Sequence, residues 1–337
     1  MLRAGHDQGK RLTFSLTLFH HGYLGKLINQ FHRLSPVLSK ADVHVHTRYS
    51  GFGRFGALKF PESTSRPEDV VDIARRMGIR VLCITDHNSI RGALRAMDYA
   101  KGFEDIEVVV GSEINAQEGE ILGLFLQEEV PRDLPAAETI ERIRAQDGLV
   151  VAPHPFSCHV PALGMMVDEL DIDALEVLNG GHLDGYANAA ALKHAEGGRW
   201  AQVGGSDAHS LGQLGCSHTT FPGQSAEDFR RAVRHRTTTP QGSISTLEMG
   251  VKWTVGIVLQ ADILMIKSFF GILEGDDPED PIINKINNMR GDLKLGALIS
   301  SAIFLTPPIP FLTSVTGVKV MQRLNRPKGG KDRECGQ

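Results

Sequence analysis

The feature that most constrains the fold is a regular alternation of short apolar runs with helix-like stretches. Seven runs have the length and composition of β-strands, at 42–45, 80–84, 106–112, 120–126, 149–152, 173–178 and 201–205. Helical stretches lie between several of them, at 67–77, 91–101, 136–147, 186–197 and 226–235. Because strands that alternate with helices form parallel sheets, this order predicts an α/β fold, a (β/α) barrel that ends near Pro240.

Side chains that bind metals stand where these runs end. Alternation along the first strand places Asp42, His44 and His46 on one face. Later runs end in TDH (85–87), GSE (111–113), HP (154–155) and GSDAH (205–209). The carboxyl ends of parallel barrel strands meet at one rim, where active sites are built. A lone HxH pair is more often a partly exposed strand pair, but five such pieces in order predict a metal centre.

These five motifs resemble those of the polymerase and histidinol phosphatase (PHP) family of metal-dependent phosphoesterases. DxHxHT, TDH, GxE, the HP dipeptide and GSDAH occur in the order that this family has, across residues 42–242. The resemblance implies a distorted (β/α)7 TIM-like barrel of the PHP type. It also implies two or three divalent ions, which are manganese, zinc or iron.

The resemblance implies a ligand set for two of these ions. His44, His46, Glu113 and Asp207 would hold the first ion. Glu113 would bridge to a second ion, which His154 shares.

His87 and His209 would hold a third ion by the same resemblance, and His209 or Asp207 would pass a proton to the leaving group. Asp42 and Asp86 are interpreted as acceptors that orient the histidines, because a ligand imidazole needs its other nitrogen fixed.

Two positions depart from the family pattern. Glu120 stands where the family often has a histidine ligand of the second ion, and a carboxylate there favours manganese over zinc. The alternative for Glu120 is an exposed loop residue. Gly51 and Phe52 replace a usual ligand of the third ion, so either Glu62 substitutes for it or that ion is weak or absent.

Arg48 directly follows the HxHT motif and is a candidate for binding the substrate phosphate, because a guanidinium matches phosphate oxygens in a fork. A solvated arginine is the equally open alternative.

Charge is distributed unevenly along the chain. Residues 1–41 carry a net charge of +5, and residues 319–337 carry +4. Because the net charge of the whole chain is −4, residues 42–318 carry −13. This acidic body, with only 6% aromatic residues, disfavours a nucleic-acid groove. We therefore expect a phosphoesterase that acts on a small nucleotide or another phosphorylated metabolite through metal-activated water. The alternatives are a 5′–3′ or 3′–5′ exonuclease on nucleic-acid ends, and a non-enzymatic scaffold with a partner- or membrane-binding tail.

The remaining predictions concern how the chain divides into domains and where the protein is located. We predict a basic N-terminal extension (1–41), a catalytic domain (42–242) and an apolar C-terminal extension with a basic tail (243–337). The apolar run at 12–19 is too short for a secretory signal, so we expect a cytoplasmic protein. Residues 295–318 carry no charge but contain three prolines, which favours contact with one membrane leaflet through 251–333, or packing on the barrel, over a full crossing.

Overall fold

The computed structural model describes residues 37–55, 58–273 and 279–326, without the side chains of 54, 55, 58 and 59. Residues 1–36 of the predicted N-terminal extension and residues 327–337 of the basic tail lie outside the described residues, whereas the end of the predicted extension forms the first strand. The strands are β1 Leu38–Asp42, β2 Phe52–Phe55, β3 Leu58–Pro61, β4 Ile79–Ile84, β5 Glu107–Asn115, β6 Glu120–Leu124, β7 Leu149–Ala152, β8 Ala174–Asn179, β9 Ala201–Gly205, β10 Ser217–Pro222 and β11 Thr239–Gly242.

Nine of these strands form one mixed sheet in the order β11-β10-β1-β4-β5-β6-β7-β8-β9, while β2 and β3 form a separate hairpin. Neighbouring strands pair parallel in β1–β4–β5 and in β7–β8–β9. Because β6 runs antiparallel to both β5 and β7, these six strands point the same way and end at one rim. The Thr219 hydroxyl bonds to both the N–H and the C=O of Gly204, which brings the two ends of the sheet together. The predicted barrel is confirmed as a nearly closed one.

The helices are α1 Pro67–Arg76, α2 Arg91–Ala100, α3 Ala136–Arg144, α4 Tyr186–Ala195, α5 Ala226–His235, α6 Leu247–Phe269, α7 Pro281–Asn287, α8 Gly291–Phe304 and α9 Ile309–Asn325. The first five match the predicted stretches closely because residues at the helix ends themselves determine where these helices begin and end. Proline opens α1, followed by Glu68 and Asp69, and Ser225 with Asp228 forms a capping box at α5. The apolar faces of these helices pack on the barrel to form the core.

The first strand lies earlier than predicted. β1 ends at Asp42, so His44 and His46 lie in the extended segment that follows it instead of in a strand at 42–45. Isolated backbone bonds hold this segment, from the Thr85 N–H to the Val45 carbonyl and from the His46 N–H to the Ala208 carbonyl. His44 and His46 are buried as completely as Val43 and Val45, so this segment has no exposed face.

The sheet also has more strands than the seven predicted. β10 and β11 add an antiparallel edge beside β1, and the β2–β3 hairpin fills the stretch that separates the HxH motif from Glu62. β10 reads SHTTFP and β11 reads TPQG. Neither segment has the apolar content that marks a strand in sequence, so both were missed.

The C-terminal stretches form helices α6 to α9. α6 is long and apolar enough to cross a membrane, and 17% of its most apolar window is buried. α8 and α9 pass the same test only as a pair, which is bent by 80° at the prolines between them. The fold prediction of an apolar helical C-terminal extension is confirmed for the described residues.

Candidate metal centre

The candidate site lies at the rim where the six parallel strands end. His44 and His46 follow β1, His87 follows β4, His154 follows β7, and Asp207 with His209 follows β9. Glu113 lies near the end of β5, and Glu120 begins β6, so the β5–β6 hairpin places both carboxylates at this rim. Every residue that the sequence nominated as a metal ligand therefore lies in one region.

The first group is the tightest. Nε2 of His44 lies 3.2 Å from Glu113 Oε2 and 3.5 Å from Asp207 Oδ1, and Nε2 of His46 lies 3.3 and 3.2 Å from the same two oxygens. Both Nε2 atoms are buried and neither has a hydrogen-bond partner. Ligands at about 2.0–2.1 Å from one tetrahedral ion are about 3.3 Å apart. These four atoms therefore fit a shared divalent cation.

A second group shares Glu113. Its Oε1 accepts a hydrogen bond from His154 Nε2 at 3.0 Å, and Glu120 Oε2 lies 3.7 Å from the same nitrogen. Only 6% of Glu120 is exposed, which excludes the alternative of an exposed loop glutamate. The Asn115 amide donates to Glu120 Oε1 at 2.8 Å and holds the carboxylate at the rim.

His87 and His209 extend the cluster towards the β2–β3 hairpin. Nδ1 of His87 lies 3.3 Å from Glu113 Oε2, and its Nε2 lies 3.2 Å from Glu62 Oε2. The ring of His209 stacks on that of His46 with centroids 4.2 Å apart, and His46, His87 and His209 can converge on one ion. Glu62, which the sequence analysis gave as a possible substitute ligand of the third ion, thus lies beside His87.

Burial and mutual charge set the protonation of this cluster. Burial lowers the pKa of His44, but the carboxylates of Asp207, Glu113 and Glu176 outweigh it and hold that pKa well above its ordinary value. Burial and the nearby charge of Glu113 raise the pKa of Glu120 to about 8. Burial also raises the pKa of Glu62 to about 7. Bound cations would favour the ionised form of these desolvated carboxyl groups.

The pKa of His209 is lowered to about 3, first by burial and then by the charge of His46. At neutral pH its imidazole is therefore neutral. Its Nδ1 lies 3.0 Å from the Asp207 carbonyl oxygen and donates to it, which leaves Nε2 as the lone-pair nitrogen.

Glu176 is the most important site residue that sequence reasoning missed. It lies on β8, is completely buried, and its carboxylate is 3.2 Å from His44 Nδ1. It also accepts hydrogen bonds from the His154 N–H at 3.0 Å and from the Asn179 amide at 2.9 Å. The Asn179 amide contacts Asp207 Oδ2 as well, at 3.1 Å. The available signal was an acid inside the apolar run ALEVL.

Asp86 and Asp42 were both expected to orient histidines, and the structure gives them different partners. Asp86 acts through Ser50, whose hydroxyl donates to Asp86 at 2.7 Å and lies 2.9 Å from His46 Nδ1. Asp42 accepts the N–H groups of Ser206 at 2.9 Å and Gly215 at 3.0 Å, so it holds the loop after β9 and does not contact an imidazole.

Close packing at the rim explains one glycine of the GSDAH segment. A Cβ atom at Gly205 would lie 2.6 Å from Glu176 Oε1 and 2.6 Å from His44 Cβ.

Asp207 and His154 adopt positive φ angles of 48° and 30°, a conformation that costs non-glycine residues about 1–3 kcal/mol. Such strain is typical of functional sites.

Arg48 has a different environment from the one predicted. Its Nε lies 2.7 Å from Asp280 Oδ2, and the two side chains are 10% and 0% exposed. Asp280 also caps α7 through the N–H groups of Ile282 and Ile283. The Arg48 guanidinium therefore ties the segment after the HxH motif to the C-terminal helices, and the solvated alternative does not hold.

We expect Arg48→Met to lower the free energy of unfolding by about 3 kcal/mol, because it leaves a buried carboxylate without its cation. Denaturant titration measures this change. Arg142→Met, which removes a half-exposed ion pair on α3, is the matched control and should cost less than about 0.5 kcal/mol. Equal effects of the two variants would contradict the assignment.

The barrel and the cluster of histidines and carboxylates on its rim define a metal-dependent hydrolase. The sequence model of the PHP domain matches residues 42–147, and that of the PHP-associated region matches residues 185–238. The chain belongs to the PHP family, so the predicted family is confirmed.

The chain is similar to two proteins in sequence and to one solved structure in fold. An uncharacterized Methanocaldococcus jannaschii protein, MJ1587, is 50% identical over 153 residues, which are 45% of this chain and 89% of that protein. A second one, MJ0417, is 29% identical over 189 residues, 54% of this chain and 70% of that protein. The crystal structure of PsfC from Pseudomonas syringae PB-5123 has the same fold, with a TM-score of 0.50 and 16% identity over 66% of this chain and 99% of PsfC.

Proposed function

We propose that this protein hydrolyses a phosphate ester of a small metabolite at a centre of two or three divalent ions, with manganese preferred. The observation that carries the proposal is the convergence of His44 Nε2, His46 Nε2, Glu113 Oε2 and Asp207 Oδ1 at separations of 3.2–3.5 Å. Divalent cations at such a centre neutralise phosphoryl oxygens and lower the pKa of a bound water.

Three of the histidines present their ligand atoms in the same way. The Glu176 carboxylate lies at His44 Nδ1, Ser50 Oγ at His46 Nδ1, and the Asp207 carbonyl at His209 Nδ1. With Nδ1 engaged on each ring, all three Nε2 atoms are left for the cluster. This arrangement makes His209 a ligand in our proposal, because its Nε2 carries a lone pair at pH 7 and its one proton, on Nδ1, is donated to the Asp207 carbonyl. The leaving group then takes its proton from solvent.

The cavity beside the cluster supports a small substrate. It has a volume of about 280 Å³ and is lined by Glu62, His87 and Glu120 together with Phe52 and Arg132. This volume suits a mononucleotide or a sugar phosphate. Arg132 also lines this cavity, with its Nε 2.7 Å from Asp133 Oδ2, and its guanidinium is our candidate for contacting a phosphate oxygen in place of Arg48.

A panel of phosphoesters tests the proposal. We expect turnover of small mono- and diesters, including 3′,5′-bisphosphonucleotides, and at least tenfold slower release of nucleotides from short oligonucleotides. Faster turnover of oligonucleotide ends would favour the exonuclease instead. If the metal-loaded protein turned over none of these esters, the result would favour the non-enzymatic scaffold.

Glu120→His is expected to shift the metal preference of activity from manganese towards zinc, because it replaces a hard oxygen with a nitrogen next to His154. The ratio of turnover with Mn²⁺ to turnover with Zn²⁺ measures the shift, and we expect the ratio to fall about tenfold. Glu129→His, at an exposed position, is the control. An unchanged ratio in the Glu120 variant would mean that this carboxylate does not bind an ion.

A further inference from the structure

Exposed large apolar side chains concentrate in the C-terminal helices. Among the described residues, fourteen lie between 247 and 326, against nine between 37 and 245. They form stripes at helical spacing, with Ile263, Ile266 and Phe270 on or next to α6 and with Ile299 and Ile303 on α8. Patches of this kind on a folded protein mark a surface that binds a partner or a membrane.

The attachment of α6 to the barrel limits how deep these helices can reach. Trp253 Nε1 donates to the Glu62 carbonyl at 3.4 Å, and Ile257 is buried. Only twelve residues of α6 follow Ile257, and at about 1.5 Å per residue they span about 18 Å. A hydrocarbon core is about 30 Å thick, so this part of α6 is too short to cross it.

The pair of α8 and α9 has the same limit. The two helices have 14 and 17 residues, and they meet at an angle of 80° instead of continuing as one rod. Asn325 at the end of α9 returns to the barrel, where its amide donates to Asp184 at 2.7 Å. Both ends of the C-terminal bundle are therefore tied to the same catalytic barrel.

Cations stand beside the apolar stripes. A cavity of about 320 Å³ between the barrel and α6 is lined by Arg66 and Lys267 as well as by Leu264 and Ile272. Arg48 also lines it, with its Nε on Asp280. A ligand for this cavity has an anionic head and an apolar body, which is the chemistry of an anionic phospholipid.

We propose that helices α6, α8 and α9 dock on an anionic phospholipid bilayer. Ile263, Ile266 and Ile299 enter one leaflet, and a lipid phosphate lies between Arg66 and Lys267. Residues 42–318 are acidic overall, so an anionic surface repels most of this part of the chain, and we expect the face that contains Arg66 and Lys267 to be the one that approaches it.

Flotation of the full-length protein with phosphatidylcholine vesicles, with and without phosphatidylglycerol, tests this proposal. We expect binding to the mixed vesicles, and at least tenfold weaker binding for the double variant Ile263→Glu/Ile299→Glu. Both side chains are more than half exposed, so the substitutions do not disturb the core. Leu192→Glu on α4, at a residue that is 45% exposed, is the matched control and should bind like the wild type.

The charge requirement has its own variant. Arg66→Gln/Lys267→Gln removes two cations and should weaken binding to the mixed vesicles roughly 30-fold, with little change on pure phosphatidylcholine. Recovery of the wild-type protein away from both kinds of vesicle would overturn the proposal. A second result would also overturn it: a wild-type protein that does not bind vesicles but forms a stable dimer, which the Ile263→Glu substitution dissociates. In that case a second copy of the chain covers the apolar stripes. Phosphoester turnover measured in the variants that lose vesicle binding tests the catalytic proposal separately.

Discussion

Replacement of Glu113 by alanine is expected to lower metal-supported phosphoester turnover by about 10³-fold or more. Its carboxylate lies within 3.0–3.3 Å of four imidazoles, those of His44, His46, His87 and His154. Removal of this one group therefore opens every part of the cluster at once. Loss of several kcal/mol of stabilisation by the ions corresponds to this factor at 1.36 kcal/mol per tenfold change.

Turnover at saturating Mn²⁺ and the metal content of the purified variant measure this effect together. The far-UV circular dichroism spectrum should stay close to that of the wild type, because the barrel strands around Glu113 keep their backbone pairing. Glu128→Ala, at an exposed position, is the control and should keep full activity. Wild-type turnover in Glu113→Ala would show that the chemistry lies elsewhere.

Glu176→Gln is expected to weaken metal binding by 10- to 100-fold although Glu176 lies behind the ligands. The charge of this buried carboxylate fixes His44 through Nδ1 and raises the basicity of the ring that faces the cluster. Glutamine keeps an acceptor for the His154 N–H, so the fold is preserved while the charge is lost.

Titration of the metal-free protein with Mn²⁺ measures this loss, and thermal unfolding of the metal-free form provides the structural check. Glu196→Gln, at the exposed end of α4, is the matched control. We expect the control to bind like the wild type and the two metal-free variants to unfold at similar temperatures. Wild-type affinity in Glu176→Gln would remove this residue from the metal centre.

The helices of the barrel were predictable from sequence because their signals are local. Pro67 and the acids after it, and the capping box at Ser225, determine where helices begin whatever the rest of the chain does. The motif order was equally informative, since each motif follows its own strand and parallel strands bring their ends together.

What the sequence did not predict depends on contacts between distant segments. β10 and β11 are strands because they pair with β1 and with each other, and their own residues do not have the strand pattern. Glu176 and Asp280 are both buried acids whose roles appear only when their partners, His44 and Arg48, meet them across the fold. No local spacing links residues that are more than 130 positions apart.

The central claim is that this chain is a metal-dependent phosphoesterase, and metal removal tests it most directly. Protein stripped with a chelator to below about 0.1 ion per chain should lose phosphoester turnover, and Mn²⁺ should restore it with two or three ions bound per chain. Elemental analysis and turnover of the same samples give both numbers. Full turnover by the stripped protein, or no turnover after Mn²⁺ is bound again, would contradict the account.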